Sequence, residues 1–176
     1  DLVGLRRRPQ PPPGGETVEA FLRSTILWTF ALLLLAILIS IPPLNTMIHG
    51  THVVVAHAMG SMIGIDSMIL WAGISLLIGG PGLRIRRAIA PLHVAVALFL
   101  AAFLVRGAAA GWSRYAGASS PDISRLVQVF PFAMAAAGLA IEFLVLWMIG
   151  HWVFALVRGR PFRSAPRRTG RPAARA

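Results

Sequence analysis

The chain has 176 residues, of which 56% are hydrophobic and only 13% charged. That balance excludes a soluble globular domain and points to a chain solvated mainly by lipid. There is no cysteine, which excludes disulfides and thiolate ligation within the chain, and the net charge of +11 comes from 17 arginines with no lysine.

Taken in order, residues 1–23 form an arginine- and proline-rich lead. The run from Pro9 to Gly15 cannot hold a helix. Glu16 to Arg23 begins the first helix or leads into it as an amphipathic segment. The long polar lead and the missing small-residue cleavage site argue against a signal peptide. A membrane domain follows over residues 24–157, with apolar stretches near 24–42, 52–80, 88–106 and 127–157. Each can supply the roughly 20 helical residues that cross a bilayer. Pro42-Pro43 closes the first span. The second carries Gly60, Gly64, Gly73, Gly79 and Gly80, which membrane helices use for close packing. Gly107–Ser124 reads as an external loop whose Trp112 and Tyr115 suit the headgroup level. Residues 158–176 read as a disordered basic tail, rich in Arg, Pro and Ala. The predicted fold class is all-α, a polytopic membrane protein with four transmembrane helices, since barrel strands would alternate apolar and polar residues. A chain that opens at Asp1 without methionine also suggests part of a longer polypeptide.

Charge placement orients the spans. Fourteen of the arginines precede the first span, follow the second or follow the fourth, whereas only Arg106, Arg114 and Arg125 lie on the other side. The positive-inside rule then predicts both termini in the cytoplasm and a second helix running from outside to inside. This topology accounts for the basic charge without nucleic acid as a partner.

The densest chemistry lies at the outer mouth of that second span, His49-Gly50-Thr51-His52-Val53-Val54-Val55-Ala56-His57-Ala58-Met59-Gly60. Imidazole inside a bilayer lines a cavity, pairs with a partner or binds a metal, and His and Met are both axial ligands of haem iron. Two residues along a helix rotate the side chain by about 200°. His57 and Met59 therefore cannot grip one metal, but they can hold two cofactors on opposite faces. His49 and His52, three apart, are expected on one face near the interface, solvated or contacting haem propionates. Asp66 follows Met59 by seven residues, on nearly the same face and about 10 Å deeper. Either a proton route or a hydrogen bond to a neighbouring helix accounts for it. Glu142, in the middle of the fourth span, is read the same way. His93 is expected at the inner interface without a role, and His151, with Trp147 and Trp152, as an interfacial anchor. Phosphate loops, nucleophile elbows and zinc helices are absent from the sequence.

The pattern His49-Gly50-Thr51, five residues, His57, one residue, second ligand position resembles the tenth helix of the haem–copper oxidase superfamily catalytic subunit. It is closest to the cytochrome b subunit of bacterial nitric oxide reductases, where the pattern ends His-x-His. The resemblance implies that His57 is the axial ligand of the high-spin haem and that position 59 serves the low-spin haem. Met59 stands where the family usually has histidine. Either it ligates in its place, or it packs and the electron-entry haem is altered. The resemblance further implies two b-type haems shared with helices outside this chain, and a non-haem iron or copper bound elsewhere in the subunit. It implies the last four of about twelve helices, in the bacterial inner membrane, with a cytochrome c-type subunit or quinol as electron donor. The expected reaction is reduction of nitric oxide or oxygen. This chain holds none of the second-metal ligands and is not expected to turn over alone. Two other classes remain: a stand-alone b-type cytochrome, which needs paired axial histidines at one depth, and a cofactor-free structural or assembly membrane protein.

Overall fold

The computed structural model of the chain describes residues 15–78, 83–117 and 121–158. The predicted disorder of the lead before Gly15 and of the tail beyond residue 158 lies outside the described residues, as do Gly79 and Gly80. Everything regular is helical: α1 (Gly15–Ser40), α2 (Pro42–Ile48), α3 (His52–Gly60), a π-helical turn (Ser61–Asp66), α4 (Ser67–Ile78), α5 (Leu83–Ala116) and α6 (Pro121–Val157). Four helical stretches are long and apolar enough to cross a membrane, with α3, the π-turn and α4 forming one of them.

In α1 the buried residues are Thr17, Phe21, Ser24, Trp28 and Leu32, a stripe at helical spacing. The opposite face is no less apolar, with Leu27, Phe30 and Leu34 exposed. A helix with oily residues all round and only one face packed is solvated by lipid on the other. It ends at Ser40 because Ile41 precedes a proline and adopts an extended conformation, φ −67° and ψ 119°. Pro42, whose missing N–H is no loss in a first turn, then starts α2.

The next turn is built by the Gly-Thr of the motif. Gly50 takes φ +69°, open to glycine without strain. The buried Thr51 hydroxyl donates to Ile48 C=O at 2.6 Å and accepts from Val53 N–H at 3.2 Å, capping α3. Because this turn separates them, His49 and His52 do not share a helix face as expected. His49 terminates α2 and His52 opens α3.

The second span changes partner as it descends. Val53, Ala56 and Gly60 are the buried positions of α3, which packs mainly on α5, whereas the π-turn and α4 pack on α1. The π-turn was not foreseen. Its wide ring is closed at Met62 C=O, which accepts both the backbone N–H and the hydroxyl of Ser67, the latter at 2.9 Å. Glycines allow the crossing. A Cβ at Gly60 would run into the Leu32 side chain, and one at Gly64 would lie 2.8 Å from Trp28 Cγ.

Residues 107–116 are not a loop. They continue α5, and α6 begins at Pro121. The reason is tertiary. Gly107 and Gly111, four apart, present bare backbone to the α2–α3 segment. A Cβ on Gly107 would collide with Val53 N and lie 2.9 Å from His52 C, and one on Gly111 would lie 2.7 Å from Met47 O. Such small-residue spacing lets backbones approach and gain dispersion contact, the main attraction available between helices in lipid. Trp112 and Tyr115 remain exposed, with their rings adjacent. Helix α5 is thus the centre of the bundle, with α6 packed chiefly along it and the shared core built from Phe21, Trp71, Ile85, Leu92, Met148 and Trp152. At one end, Glu16 of α1 pairs with Arg86 of α5 at 2.6 Å.

Candidate functional site

The site begins with the seam between α3 and α5. Val53, Ala56 and Gly60 define its midline. His57 lies one residue round from Ala56 on one flank, and Met59 precedes Gly60 on the other, the roughly 200° separation of a regular helix being kept. His57 is half-buried and Met59 exposed. Nδ1 of His57 is sealed inside the protein with no hydrogen-bond partner among the described residues. A buried imidazole nitrogen left unpaired costs free energy. With Nδ1 enclosed, Nε2 is the nitrogen that can reach a group outside the four helices.

The other histidines are each accounted for locally. His49 is exposed, and its carbonyl accepts from the Arg114 guanidinium at 3.1 Å, tying the C-terminal end of α5 to the α2–α3 turn. His52 lays its ring against Phe103, centroids 5.9 Å apart. His151 Nδ1–H donates to Trp147 C=O at 2.9 Å and its ring lies 4.0 Å from that indole.

His93, expected to sit at the interface without a role, is instead a link between helices. Trp28 Nε1–H donates to His93 Nδ1 at 2.8 Å, and His93 Nε2 lies 2.8 Å from Ser24 Oγ. The Ser24 hydroxyl spends its own proton on Ala20 C=O, at 2.8 Å. Ser24 Oγ must therefore accept from Nε2–H, and since indole can only donate, the ring is the neutral Nε2–H tautomer. Trp28 and Ser24 belong to α1 and His93 to α5, so nothing in the local sequence of either signals the pairing.

Asp66 and Glu142 both lie on exposed faces. Asp66 is the last residue of the π-turn, whose i→i+5 pairing replaces the regular α-helical one between Met59 and Asp66. Two hydroxyls that follow it in the same span, Ser67 and Ser75, do not bond to it. The Ser67 hydroxyl bonds to Met62 C=O, and the Ser75 hydroxyl is buried without a partner. Glu142 opens onto a groove of about 580 Å³ between α5 and α6, at which Arg106 is also present. The two carboxylates belong to separate surfaces and form no common site. Among the described residues no three His, Asp or Glu side chains gather as a metal centre, so His57 and Met59 act, if as ligands, singly and toward groups completed from outside.

Comparison of the chain with protein-family models, with curated proteins and with solved structures finds no match.

Proposed function

We propose that this chain supplies the haem-bearing helix of a respiratory nitric oxide reductase-like or terminal oxidase-like subunit of the haem–copper oxidase type, as its C-terminal four-helix portion. The observation that carries the reading is His57, an intramembrane imidazole whose Nδ1 is enclosed and whose Nε2 is left to reach outward, on the flank of α3 opposite Met59. That donor set fits axial ligation of two haem groups on opposite sides of one helix. His57 would hold the high-spin haem and Met59 the low-spin one. A haem supplies reversible one-electron chemistry at iron, and a methionine ligand raises its reduction potential relative to histidine.

What this chain's own residues do is position those donors. Gly50 and Thr51 start the helix, so the Gly-Thr of the motif sets where the ligand turn begins. Val53, Ala56 and Gly60 press that turn onto α5 and fix its rotation. Arg114, bonded to the His49 carbonyl, closes the outer end. In this reading the partners are the remaining helices of the subunit and a cytochrome c-type subunit or quinol. The second metal, a non-haem iron or copper, is bound by those other helices. The positive-inside distribution supports cytoplasmic termini, the resemblance to the oxidase family implies a bacterial inner membrane, and Asp66 and Glu142 are candidates for a proton route.

A stand-alone b-type cytochrome is disfavoured by His93, both of whose ring nitrogens are already engaged. A cofactor-free scaffold leaves an imidazole and a thioether on opposite flanks of one membrane-length span without a reason. The test is optical and electron-paramagnetic-resonance spectroscopy of the full membrane protein beside His57→Ala and Met59→Leu. Loss of a high-spin signal in the first and a perturbed low-spin signal in the second are expected. Unchanged spectra in both variants would overturn the proposal and leave the cofactor-free protein as the better account.

A further inference from the structure

Two side chains of α1 form the seat on which the second span crosses it. Leu32 lies under Gly60 and Trp28 under Gly64, four residues apart on each helix and running antiparallel. The fit is close at both points, with the Gly64 Cβ position 2.8 Å from Trp28 Cγ and 2.9 Å from its Cδ2. Gly60 directly follows Met59, and Gly64 is the buried residue of the π-turn. While α5 holds the upper part of the segment, the π-turn that follows His57 and Met59 rests on the Trp28 indole, which limits how far the segment can slide along α1. Trp28 in turn is tethered, its Nε1–H held at 2.8 Å by His93 of α5, whose other nitrogen is anchored through Ser24 back to α1. Leu32 has no such tether.

We propose that His93 is a positioning residue for the His57–Met59 segment, acting through the Trp28 indole and the π-turn that rests on it. The geometry of the segment is independent of what it carries; only the consequence for haem rests on the function proposed above. A neutral imidazole is suited to this because it accepts from indole on one edge and donates to a hydroxyl on the other, spanning two helices with a rigid ring. Removal of the acceptor frees the indole to rotate, and the glycine seats then allow the π-turn to slide or re-form.

The experiment uses the whole membrane protein, and the absence of cysteine from this chain allows spin labels at Met62→Cys on the π-turn and Val94→Cys on α5, both exposed positions. Inter-label distances are compared for the parent, His93→Leu, Trp28→Phe and His93→Asn. The expected result is a shift of about one residue's rise, ~1.5 Å, or a clear broadening, in His93→Leu and equally in Trp28→Phe. His93→Asn, which keeps an acceptor for Trp28 and a donor for Ser24, stays near the parent. The low-spin haem spectrum and midpoint potential follow the same order. Trp28→Phe carries the test where His93→Leu fails to insert. Label distances that do not move in folded His93→Leu or Trp28→Phe overturn the proposal. If the parent contains no haem, the functional reading falls and the label distances still decide whether His93 positions the segment.

Discussion

Gly107→Ala probes the tightest of the described glycine contacts. The added methyl would collide with the backbone nitrogen of Val53 and lie 2.8 Å from Val53 Cγ2 and 2.9 Å from His52 C. Carbon atoms in contact sit about 3.5–4.0 Å apart, so α5 and the start of α3 must separate by roughly 1 Å. Over-packed cores lose ~1–3 kcal/mol when side chains can adjust. Here two of the obstructing atoms are backbone and cannot rotate aside, so the expected cost lies at the upper end, about 3 kcal/mol. Part of that is lost packing at Val53 and Ala56, which are buried at 6% and 0% exposure. Gly73→Ala is the control. Nothing lies within 4 Å of its Cβ position, and the exchange recovers up to about 1 kcal/mol of helix propensity. The assay is reversible unfolding in mixed micelles, followed by circular dichroism, with both variants beside the parent. An unfolding free energy for Gly107→Ala equal to that for Gly73→Ala would refute the argument that backbone contact at Gly107 holds α3 on α5.

Gly64→Ala should destabilise by about 1–3 kcal/mol, because Trp28 is pinned by His93. Trp28→Leu should restore part of the loss, measured as a coupling in a double-mutant cycle. His93→Leu leaves the Trp28 N–H buried without an acceptor, at a cost of ~1–3 kcal/mol. Addition of Trp28→Phe should cost less than the sum of the two single changes, and strict additivity in the same unfolding assay would count against the link. Ser67→Ala removes one of two bonds to Met62 C=O and should cost about 1 kcal/mol or less, whereas loss of the π-turn, visible as a changed hydrogen-exchange pattern over residues 61–66, would show that the hydroxyl is essential to it. Asp66→Leu removes a carboxylate from an exposed face of the second span, where translocon scales put the cost of a charge at ~2.5–3.5 kcal/mol. Membrane insertion should improve, and an unchanged insertion efficiency would place Asp66 in water or against a partner.

Much of the architecture was legible in the sequence because lipid imposes a one-dimensional rule. A run of about 20 apolar residues must form a helix, since no other backbone conformation satisfies its polar groups in hydrocarbon. Pro42 and Pro43 marked the end of α1 for the same local reason, and His57 and Met59 were placed on opposite flanks by helix rotation alone. The local rule failed where polarity misled it. Gly107–Ser124 contains three glycines, four serines and an arginine and read as a loop, yet α5 continues through Ala116 because Gly107 and Gly111 meet the backbone of the preceding turn. The Gly-x-x-x-Gly spacing was the available signal. In the motif itself, Gly50 and Thr51 proved to be a turn and a cap, which is why His49 and His52 do not share a face.

The sequence by itself determined the class, the number of spans and the angular relation of His57 to Met59, all of which follow from composition and from the geometry of one helix. Only the tertiary structure decided the partners. It joined Trp28 and His93 across 65 positions, sealed Nδ1 of His57 without a mate, and set a π-turn where the second span leaves α5 for α1. Those outcomes depend on which faces meet. In helices apolar on every side, hydropathy carries no record of that choice, which is made by the shapes of glycine, leucine and indole in contact.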